Sequence, residues 1–224
     1  MGLGSVVSWD SVVHPGVGWR GSIRLPILAL YYKVLYCIRS LVGAGRRVMD
    51  SDAVHTEDLV VLVDEDDREL GTETKMNAHV AGTLHRAISV FVFNGAGEML
   101  LQQRAASKYH SAGLWSNTCC SHPRPGESPE SAAHRRLGEE MGFDCPLQRA
   151  FTFIYRRVLD NGLIEHEYDH VFVGRFDGIL APAPDEVADW KWVEADEVVA
   201  DVSANPQRYS PWFGVALERL LDGE

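Results

Sequence analysis

Apolar and polar positions repeat with different periods along the chain, and the changes between periods indicate where its strands and helices begin and end. Three runs predict strands: Leu59–Asp64, Ala87–Phe93 and Glu98–Arg104. The second run is apolar on both faces, which is typical of a buried central strand. The turn sequence Asn94-Gly95-Ala96-Gly97 connects it to the third run, so we predict a hairpin.

Two helices are predicted by their end signals. Ser128 is a typical N-cap, Pro129 suits the first helical position, and Gly142 lies just past the last periodic residue. The same cap-then-proline signal recurs at Ser210-Pro211, and the helix that it opens runs to about Leu221.

The region between these helices predicts more strands. Phe151–Leu159 and Glu165–Phe176 are joined by Asp160-Asn161-Gly162, a strong hairpin signal. Trp190–Val193 reads as a short strand, and an acidic helical segment follows near Glu194–Ala200. The fold class is therefore α+β, a mixed β-sheet flanked by helices.

Composition indicates one main domain with an acidic surface. The chain has 224 residues, of which 46% are hydrophobic, enough for a sizeable core. Residues 1–50 carry six Lys or Arg and two Asp or Glu, whereas residues 51–224 carry fifteen and thirty. Such an acidic body disfavours nucleic acid as a partner, because phosphate binding needs a basic surface.

We treat residues 1–50 as an N-terminal extension to a domain at 51–224. Pro26–Gly43 is apolar, but Lys33 and Arg39 interrupt it, so we expect no stable membrane span. A signal peptide is equally poorly matched. The extension is either poorly packed or peripherally attached, or it lies outside the true start, which would then be Met49.

The cysteines indicate a reducing compartment rather than disulfides. Four cysteines in a chain of this length, with Cys119 and Cys120 adjacent, do not resemble a disulfide framework, so we expect free thiols and a cytoplasmic location. Neighbours along an extended chain point to opposite faces, so at most one faces a site. Cys120 is either simply buried or a catalytic thiol tuned by His122 or by a metal-held carboxylate.

The helix after Ser128 carries charges that allow two interpretations. Arg135 and Glu139 are four apart, as are Arg136 and Glu140, which is the spacing of ordinary surface ion pairs. Alternatively, Glu127, Glu139 and Glu140 gather carboxylate oxygens for Mg²⁺ next to a substrate phosphate.

Histidines and glutamates elsewhere allow a second metal. His79, His85 and His122 fall near predicted strand ends, and Glu165 and Glu167 leave the same face of one strand. Side-by-side carboxylates repel unless a cation lies between them. The plain alternative is a solvated strand face, but three imidazoles and two carboxylates are a complete set for Zn²⁺ or Mn²⁺.

Several dispersed motifs together resemble the type 1 isopentenyl-diphosphate delta-isomerase family, a Nudix-fold group, from about Leu59 to Leu221. The motifs are Lys75-Met-Asn-Ala-His79, Leu84-His85-Arg86, Gln103-Arg104-Ala-Ala-Ser-Lys108, Asn117-Thr-Cys-Cys-Ser-His122-Pro, Gly126-Glu127-Ser, Arg136 through Glu140 to Gly142, Tyr155, Glu165-His-Glu167 and Ser210-Pro-Trp212. Their number and order make the resemblance specific, as a lone Nudix box would not.

The resemblance implies an isomerase of isoprenoid biosynthesis that interconverts isopentenyl and dimethylallyl diphosphate, with a Nudix fold and in monomeric form. It implies one Mn²⁺ or Zn²⁺ held by His79, His85, His122, Glu165 and Glu167. It implies catalytic roles for Cys120, Glu167, Tyr155 and Trp212. It implies Mg²⁺ at Glu140, with the diphosphate contacted by Lys75, Arg104, Lys108 and Arg136.

Two departures from the Nudix consensus count against hydrolysis. Ser121 stands where the consensus opens with glycine, and Arg136 replaces a metal-binding glutamate, which the isomerase family shares. A Nudix hydrolase of nucleoside diphosphates is the nearest alternative, but it has no use for Cys120. A non-catalytic metal-binding module is the other, and it would tolerate loss of that thiol.

The chemistry of the isomerisation explains these residue types. Moving the double bond requires an acid and a base on opposite faces of the hydrocarbon. The cation between them needs shelter from water and an aromatic surface, which Trp212 supplies. We hypothesise that Glu167, held near the metal and Tyr155, delivers the first proton and that the Cys120 thiolate removes one from the other side.

Overall fold

The computed structural model describes residues 59–223, which form a mixed nine-stranded sheet flanked by helices. The predicted extension at 1–50 lies outside the described residues. Within 59–223, none of the helices has the length and apolar character needed to cross a membrane. The α+β expectation is confirmed.

The strands follow the chain in nine segments: β1 (Leu59–Val63), β2 (Glu69–Thr74), β3 (His85–Phe93), β4 (Met99–Arg104), β5 (Trp115–Ser116), β6 (Cys119–Ser121), β7 (Leu147–Val158), β8 (Ile164–Arg175) and β9 (Val187–Val193). The helices are α1 (Lys75–Ala81), α2 (Pro129–Met141), α3 (Ala195–Ala204) and α4 (Pro211–Asp222), with a 3₁₀ turn at Pro206–Arg208 before α4.

Strand β3 is the centre of the sheet. It pairs antiparallel with β1 and β6 and parallel with β8, which in turn forms the long predicted hairpin with β7. The predicted hairpin between β3 and β4 is correct only at its turn, since Phe93 and Met99 are the residue pair in register between them. The strands then diverge, because β6 and β8 flank β3 while β9 and β5 flank β4.

Helix α2 begins and ends where its sequence signals place it. The Ser128 side chain accepts a hydrogen bond from the backbone N–H of Ser131, and Pro129 opens the first turn. Gly142 ends the helix in the left-handed conformation, with φ of 74°. A residue there needs positive φ and little volume, because an added Cβ would lie 2.1 Å from the Ala181 carbonyl oxygen.

The sheet has a hydrophobic core on each face. On β3, Val90 joins the core that contains Leu137 of α2, whereas Phe91 stacks on Phe213 of α4 in the other core. The alternation also separates the adjacent cysteines. Cys119 is buried in the α2 core, and Cys120 packs against the α4 core, so only the second thiol can face the site described below.

Besides the 3₁₀ turn at Pro206–Arg208, four short elements were not predicted from the sequence. Helix α1 has seven residues, and β5 and β6 have two and three, too few for a periodic pattern to appear. Strand β2, Glu69–Thr74, contains Leu70 as its one large apolar side chain. Antiparallel pairing with β1 at every residue except Leu70 stabilises β2, whose side chains are exposed or half-buried.

Replacement of Gly142 by alanine should destabilise the fold more than the same change at Gly97. Both glycines have positive φ, which costs an alanine about 1–2 kcal/mol. Gly97 has open space around it, whereas Gly142→Ala also forces a clash with Ala181, for a total loss of about 3 kcal/mol or more. Urea unfolding measures both variants, and equal losses would contradict the packing described here.

Candidate active site

A cavity opens at the amino-terminal end of β3, between β6 and β8. Ten residues line it: Lys75, Arg104, His110, Cys120, Ser121, His122, Tyr155, Glu165, Glu167 and Trp212. His79 and His85 are buried and lie within contact distance of the lining glutamates. The structure thus brings together the predicted catalytic residues and the predicted imidazole and glutamate cluster.

Strands β3, β6 and β8 and helix α1 place the thiol and most of the imidazole and glutamate cluster. His85 is the first residue of β3 and is the register partner of Glu167 on β8. Cys120 lies on β6, on the other side of β3, opposite Ser89. Helix α1 begins at Lys75 and presents His79 one turn later, so a short helix that the sequence did not reveal holds two predicted site residues.

The imidazoles converge on the two glutamates. His122 Nε2 lies 2.8 Å from Glu167 Oε1, His85 Nε2 lies 3.6 Å from the same oxygen, and His79 Nε2 lies 3.4 Å from Glu165 Oε2. Four of these residues (His79, His85, His122 and Glu167) offer ligand atoms that all lie within 4.8 Å of one another. Such mixed nitrogen and carboxylate donors suit Zn²⁺ or Mn²⁺.

Backbone hydrogen bonds orient two of the rings towards this centre. His79 Nδ1 lies 2.6 Å from the Lys75 carbonyl oxygen, and His85 Nδ1 lies 2.8 Å from that of Thr83. In each ring, Nδ1–H therefore donates to the carbonyl oxygen, and Nε2 keeps a free lone pair. Both Nε2 atoms are buried and make no hydrogen bond within residues 59–223, so the cluster fits a bound cation.

Glu167 is held as a carboxylate. The Tyr155 hydroxyl donates to Glu167 Oε2 at 2.5 Å. Burial opposes ionisation of this side chain, but hydrogen bonds from its neighbours, that of the Tyr155 hydroxyl among them, outweigh burial and lower the pKa of Glu167 to about 2.

Cys120 is held as a thiol. Burial raises its pKa to about 12, although the Arg104 guanidinium, 3.9 Å from the sulfur, acts in the opposite direction. At neutral pH, Cys120 and Glu167 therefore hold one proton between them, and it is on the Cys120 sulfur. The hypothesis of a Glu167 acid and a Cys120 thiolate requires that proton to move to Glu167 before the first step.

The aromatic wall comes from the first turn of α4. Trp212 is 4% exposed, and its ring lies against Arg104, whose guanidinium carbon is 5.2 Å from the ring centroid. Arg104 also donates to the carbonyl oxygens of His110 and Ser111. The Arg104 guanidinium thus contacts the Trp212 ring, the Cys120 sulfur and the loop before β5.

The predicted diphosphate residues fall into two groups. Lys75 and Arg104 line the cavity, whereas Lys108 and Arg136 do not and instead pair with Glu186. Arg136 Nη2 lies 3.3 Å from Glu186 Oε1. Glu186 was not predicted as a site residue, because it lies in the segment before β9, where no periodic pattern marks it.

The carboxylates of α2 are paired with arginines. Arg136 donates to Glu140 Oε1 at 2.7 Å, and Gln102 donates to Oε2 at 3.0 Å, so both oxygens of this buried glutamate have partners. Arg135 likewise contacts Glu127 and Glu139. The ion-pair interpretation of this helix describes the geometry, and Mg²⁺ at Glu140 stays a prediction that requires an exchange of partners.

His110 is a site residue that the sequence analysis missed. Its Nε2 lies 3.3 Å from Glu165 Oε1, and burial lowers its pKa to about 3 despite that carboxylate. A single histidine in a short loop carries no sequence signal, and the contact depends on how the β4–β5 connection folds over β8.

Comparisons with known proteins show what the chain is similar to. A NUDIX domain model matches residues 83–213. Isopentenyl-diphosphate Delta-isomerase 1 of Aromatoleum aromaticum is 59% identical over 165 residues, covering 74% of this chain and 93% of the relative. The isopentenyl-diphosphate Delta-isomerases of Photorhabdus laumondii and Burkholderia multivorans are 55% and 52% identical, and the alignments cover 75% and 73% of this chain and 92% and 93% of the relatives.

Solved structures support the fold alone. A Deinococcus radiodurans protein matches with a TM-score of 0.61 at 17% identity, covering 72% of this chain and 98% of that one. A MutT protein from Methanosarcina mazei matches with a TM-score of 0.51 at 19% identity, covering 61% of this chain and 91% of that one.

Alkylation should report the protonated state of Cys120. Because only the thiolate reacts and the pKa is about 12, the rate of reaction with iodoacetamide should rise about tenfold per unit between about pH 8 and pH 10. The Cys120→Ala variant identifies the signal of this thiol in peptide mass spectra. A rate that levels off near pH 9, as for an ordinary cysteine, would contradict the assignment.

Proposed function

The chain belongs to the type 1 isopentenyl-diphosphate Delta-isomerase family of NUDIX-domain proteins and is an isopentenyl-diphosphate Delta-isomerase, and on that premise we propose how its residues perform the reaction. The observation that supports the proposal most is the cavity in which Cys120 and Glu167 lie on strands to either side of β3. Acid–base chemistry on a hydrocarbon requires two such groups.

We propose that His79, His85, His122, Glu165 and Glu167 hold one Mn²⁺ or Zn²⁺. The support is the convergence of donor atoms from His79, His85, His122 and Glu167, and the two buried Nε2 atoms that lack hydrogen bonds among the described residues. Glu165 joins the site through its Oε2, which lies 3.4 Å from His79 Nε2. A bound divalent ion supplies the positive charge that lets two buried carboxylates lie side by side. The imidazoles orient the carboxylates, and Tyr155 fixes the remaining oxygen of Glu167.

The proton transfers use Cys120 and Glu167 as partners. Protonation of the terminal alkene carbon forms a C–H bond and leaves a tertiary cation, and loss of a proton from the neighbouring methylene group forms the new double bond. Once the substrate has become the tertiary cation, Cys120 and Glu167 are both anionic, whichever of them donated the proton. Their resting protonation states therefore do not fix the order, which depends on the carbon that each group faces.

We propose that Glu167 is the first donor. Its Oε2 accepts from the Tyr155 hydroxyl and its Oε1 lies 2.8 Å from His122 Nε2, so protons can reach Glu167 from groups other than the substrate. Cys120 instead lies next to Arg104, which favours the thiolate and hence a base. Two anions and the Trp212 ring around the cation stabilise it, and the ring contributes on the order of 2 kcal/mol when desolvated.

The diphosphate is proposed to bind at the basic side of the cavity. Lys75 and Arg104 line it and supply two positive charges where the phosphates must anchor the short hydrocarbon. Lys108, Arg136 and a Mg²⁺ ion at Glu140 complete the proposed site. Lys108 and Arg136 both pair with Glu186, and Arg136 also pairs with Glu140. The substrate and Mg²⁺ must therefore displace some of these ion pairs.

A hydrolase of nucleoside diphosphates is less well supported. Such enzymes need an acidic metal-binding helix, but arginines pair with Glu127, Glu139 and Glu140 on and before α2. A purely structural metal module leaves the thiol, the tyrosine and the open cavity without a role.

We also propose a monomeric cytoplasmic enzyme that binds no nucleic acid. The free thiols of Cys119, Cys120 and Cys145 support a reducing compartment, and the net charge of −11 argues against a polyanionic partner.

The purified protein with Mg²⁺ and Mn²⁺ should convert isopentenyl diphosphate to dimethylallyl diphosphate. Cys120→Ala and Glu167→Gln should each lower the turnover number about 10²–10⁴-fold, the usual contribution of general acid–base groups. His134→Ala is the matched control, because His134 pairs with Asp144 away from the cavity. Release of phosphate from the substrate, or full activity of Cys120→Ala, would sink the assignment.

Isotope exchange should establish the order of the transfers. In deuterated water, Cys120→Ala should still introduce deuterium at the terminal carbon of isopentenyl diphosphate while turnover fails, because Glu167 alone can protonate the alkene reversibly. Mass spectrometry of recovered substrate measures the exchange. If both exchange and turnover disappear, Cys120 is the first donor and the order is the reverse.

A further inference from the structure

His110 belongs to a second group of donors that overlaps the proposed metal site. His79, His110 and Glu165 offer ligand atoms that all lie within 4.8 Å of one another, separately from the group that contains His85, His122 and Glu167. All three are buried. His110 lies in the connection between β4 and β5, and neither the sequence motifs nor the proposed mechanism gives it a role.

The two groups cannot be two metal sites, because they share one nitrogen. His79 Nδ1 is committed to the Lys75 carbonyl oxygen, so His79 has only Nε2 to offer to a cation. One lone pair serves one ion. A single ion would be held by the larger group, which contains His85, His122 and Glu167, and His110 would then act in some other way.

The geometry at Glu165 indicates the role of His110. Oε2 of this carboxylate faces His79 at 3.4 Å, and Oε1 faces His110 Nε2 at 3.3 Å, so each oxygen has its own imidazole. On the far side of the His110 ring, Nδ1 lies 3.3 Å from the Ser111 hydroxyl oxygen. A hydroxyl that donates to Nδ1 leaves the proton on Nε2, the nitrogen that lies 3.3 Å from Glu165 Oε1.

Aromatic contacts hold the His110 ring in this position. Its ring stacks on His79 with centroids 5.8 Å apart and meets Tyr109 edge-on at 4.4 Å. It also meets the ring of Trp212 edge-on at 6.0 Å. The imidazole is therefore wedged between the metal-facing histidine and the wall that covers the hydrocarbon, with little freedom to turn.

We propose that His110 is a positioning residue that donates from Nε2 to Glu165 Oε1 and thereby fixes the other oxygen towards the metal. Hydrogen bonds of this kind to a ligating carboxylate orient the ligand and typically change metal affinity by about 10–100-fold. The proposal rests on the metal site put forward under Proposed function and adds to it a residue from a different segment of the chain.

The test is Mn²⁺ binding by metal-free protein, without substrate, in competition with a chelator. His110→Ala should weaken Mn²⁺ binding about 10–100-fold. His110→Gln should bind within about threefold of wild type, because the glutamine amide N–H can reach and donate to the same oxygen. His134→Ala is the control for the loss of a histidine outside the cluster. Thermal unfolding of each variant verifies that the fold is retained.

Three results would overturn the proposal. Wild-type affinity in His110→Ala shows that Glu165 needs no help, and an equal loss in His110→Ala and His110→Gln shows that hydrogen-bond donation is not the cause. Both results leave the proposed metal site intact. A wild-type protein that binds no Mn²⁺ or Zn²⁺ contradicts the metal site itself, and the role of His110 with it.

Discussion

Two buried carboxylates side by side are the constraint on which the site depends. Glu165 and Glu167 leave the same face of β8 and are 2% and 7% exposed, so each must be compensated within the protein. Histidines surround them, and Tyr155 donates to Glu167. The imidazoles of His79 and His85 remain available as ligands through Nε2, because backbone carbonyl oxygens accept from their Nδ1–H groups. Negative charge, neutral nitrogen donors and an enclosed cavity together favour a divalent cation.

The sheet makes this arrangement possible through its pairing pattern. Parallel pairing of β8 with β3 sets Glu167 beside His85, and antiparallel pairing of β6 places Cys120 on the other flank of the same strand. The alternation of faces sends Cys119 into the α2 core and turns Cys120 towards the α4 core. Acid and thiol thus reach one cavity from two strands that are distant in sequence, while α4 contributes the aromatic wall through Trp212.

The sequence predicts the periodic parts of this protein well and the loop-built parts poorly. The caps of α2 and the hairpin around Asn161 depend on local backbone chemistry, which sequence patterns record directly. The divergence of β3 from β4 depends on which distant strands pair with each, so a local turn signal could not reveal it. The contact of His110 with Glu165 and the pairing of Glu186 with Lys108 likewise arise from tertiary packing.

The central claim is that one divalent cation lies among the histidines and glutamates next to Cys120. Anomalous X-ray scattering from crystals of the protein grown with Mn²⁺ tests it most directly. We expect one strong peak enclosed by the side chains of His79, His85, His122, Glu165 and Glu167. A peak confined to the carboxylates of α2, or no peak at all in crystals with the cation in excess, would contradict the account.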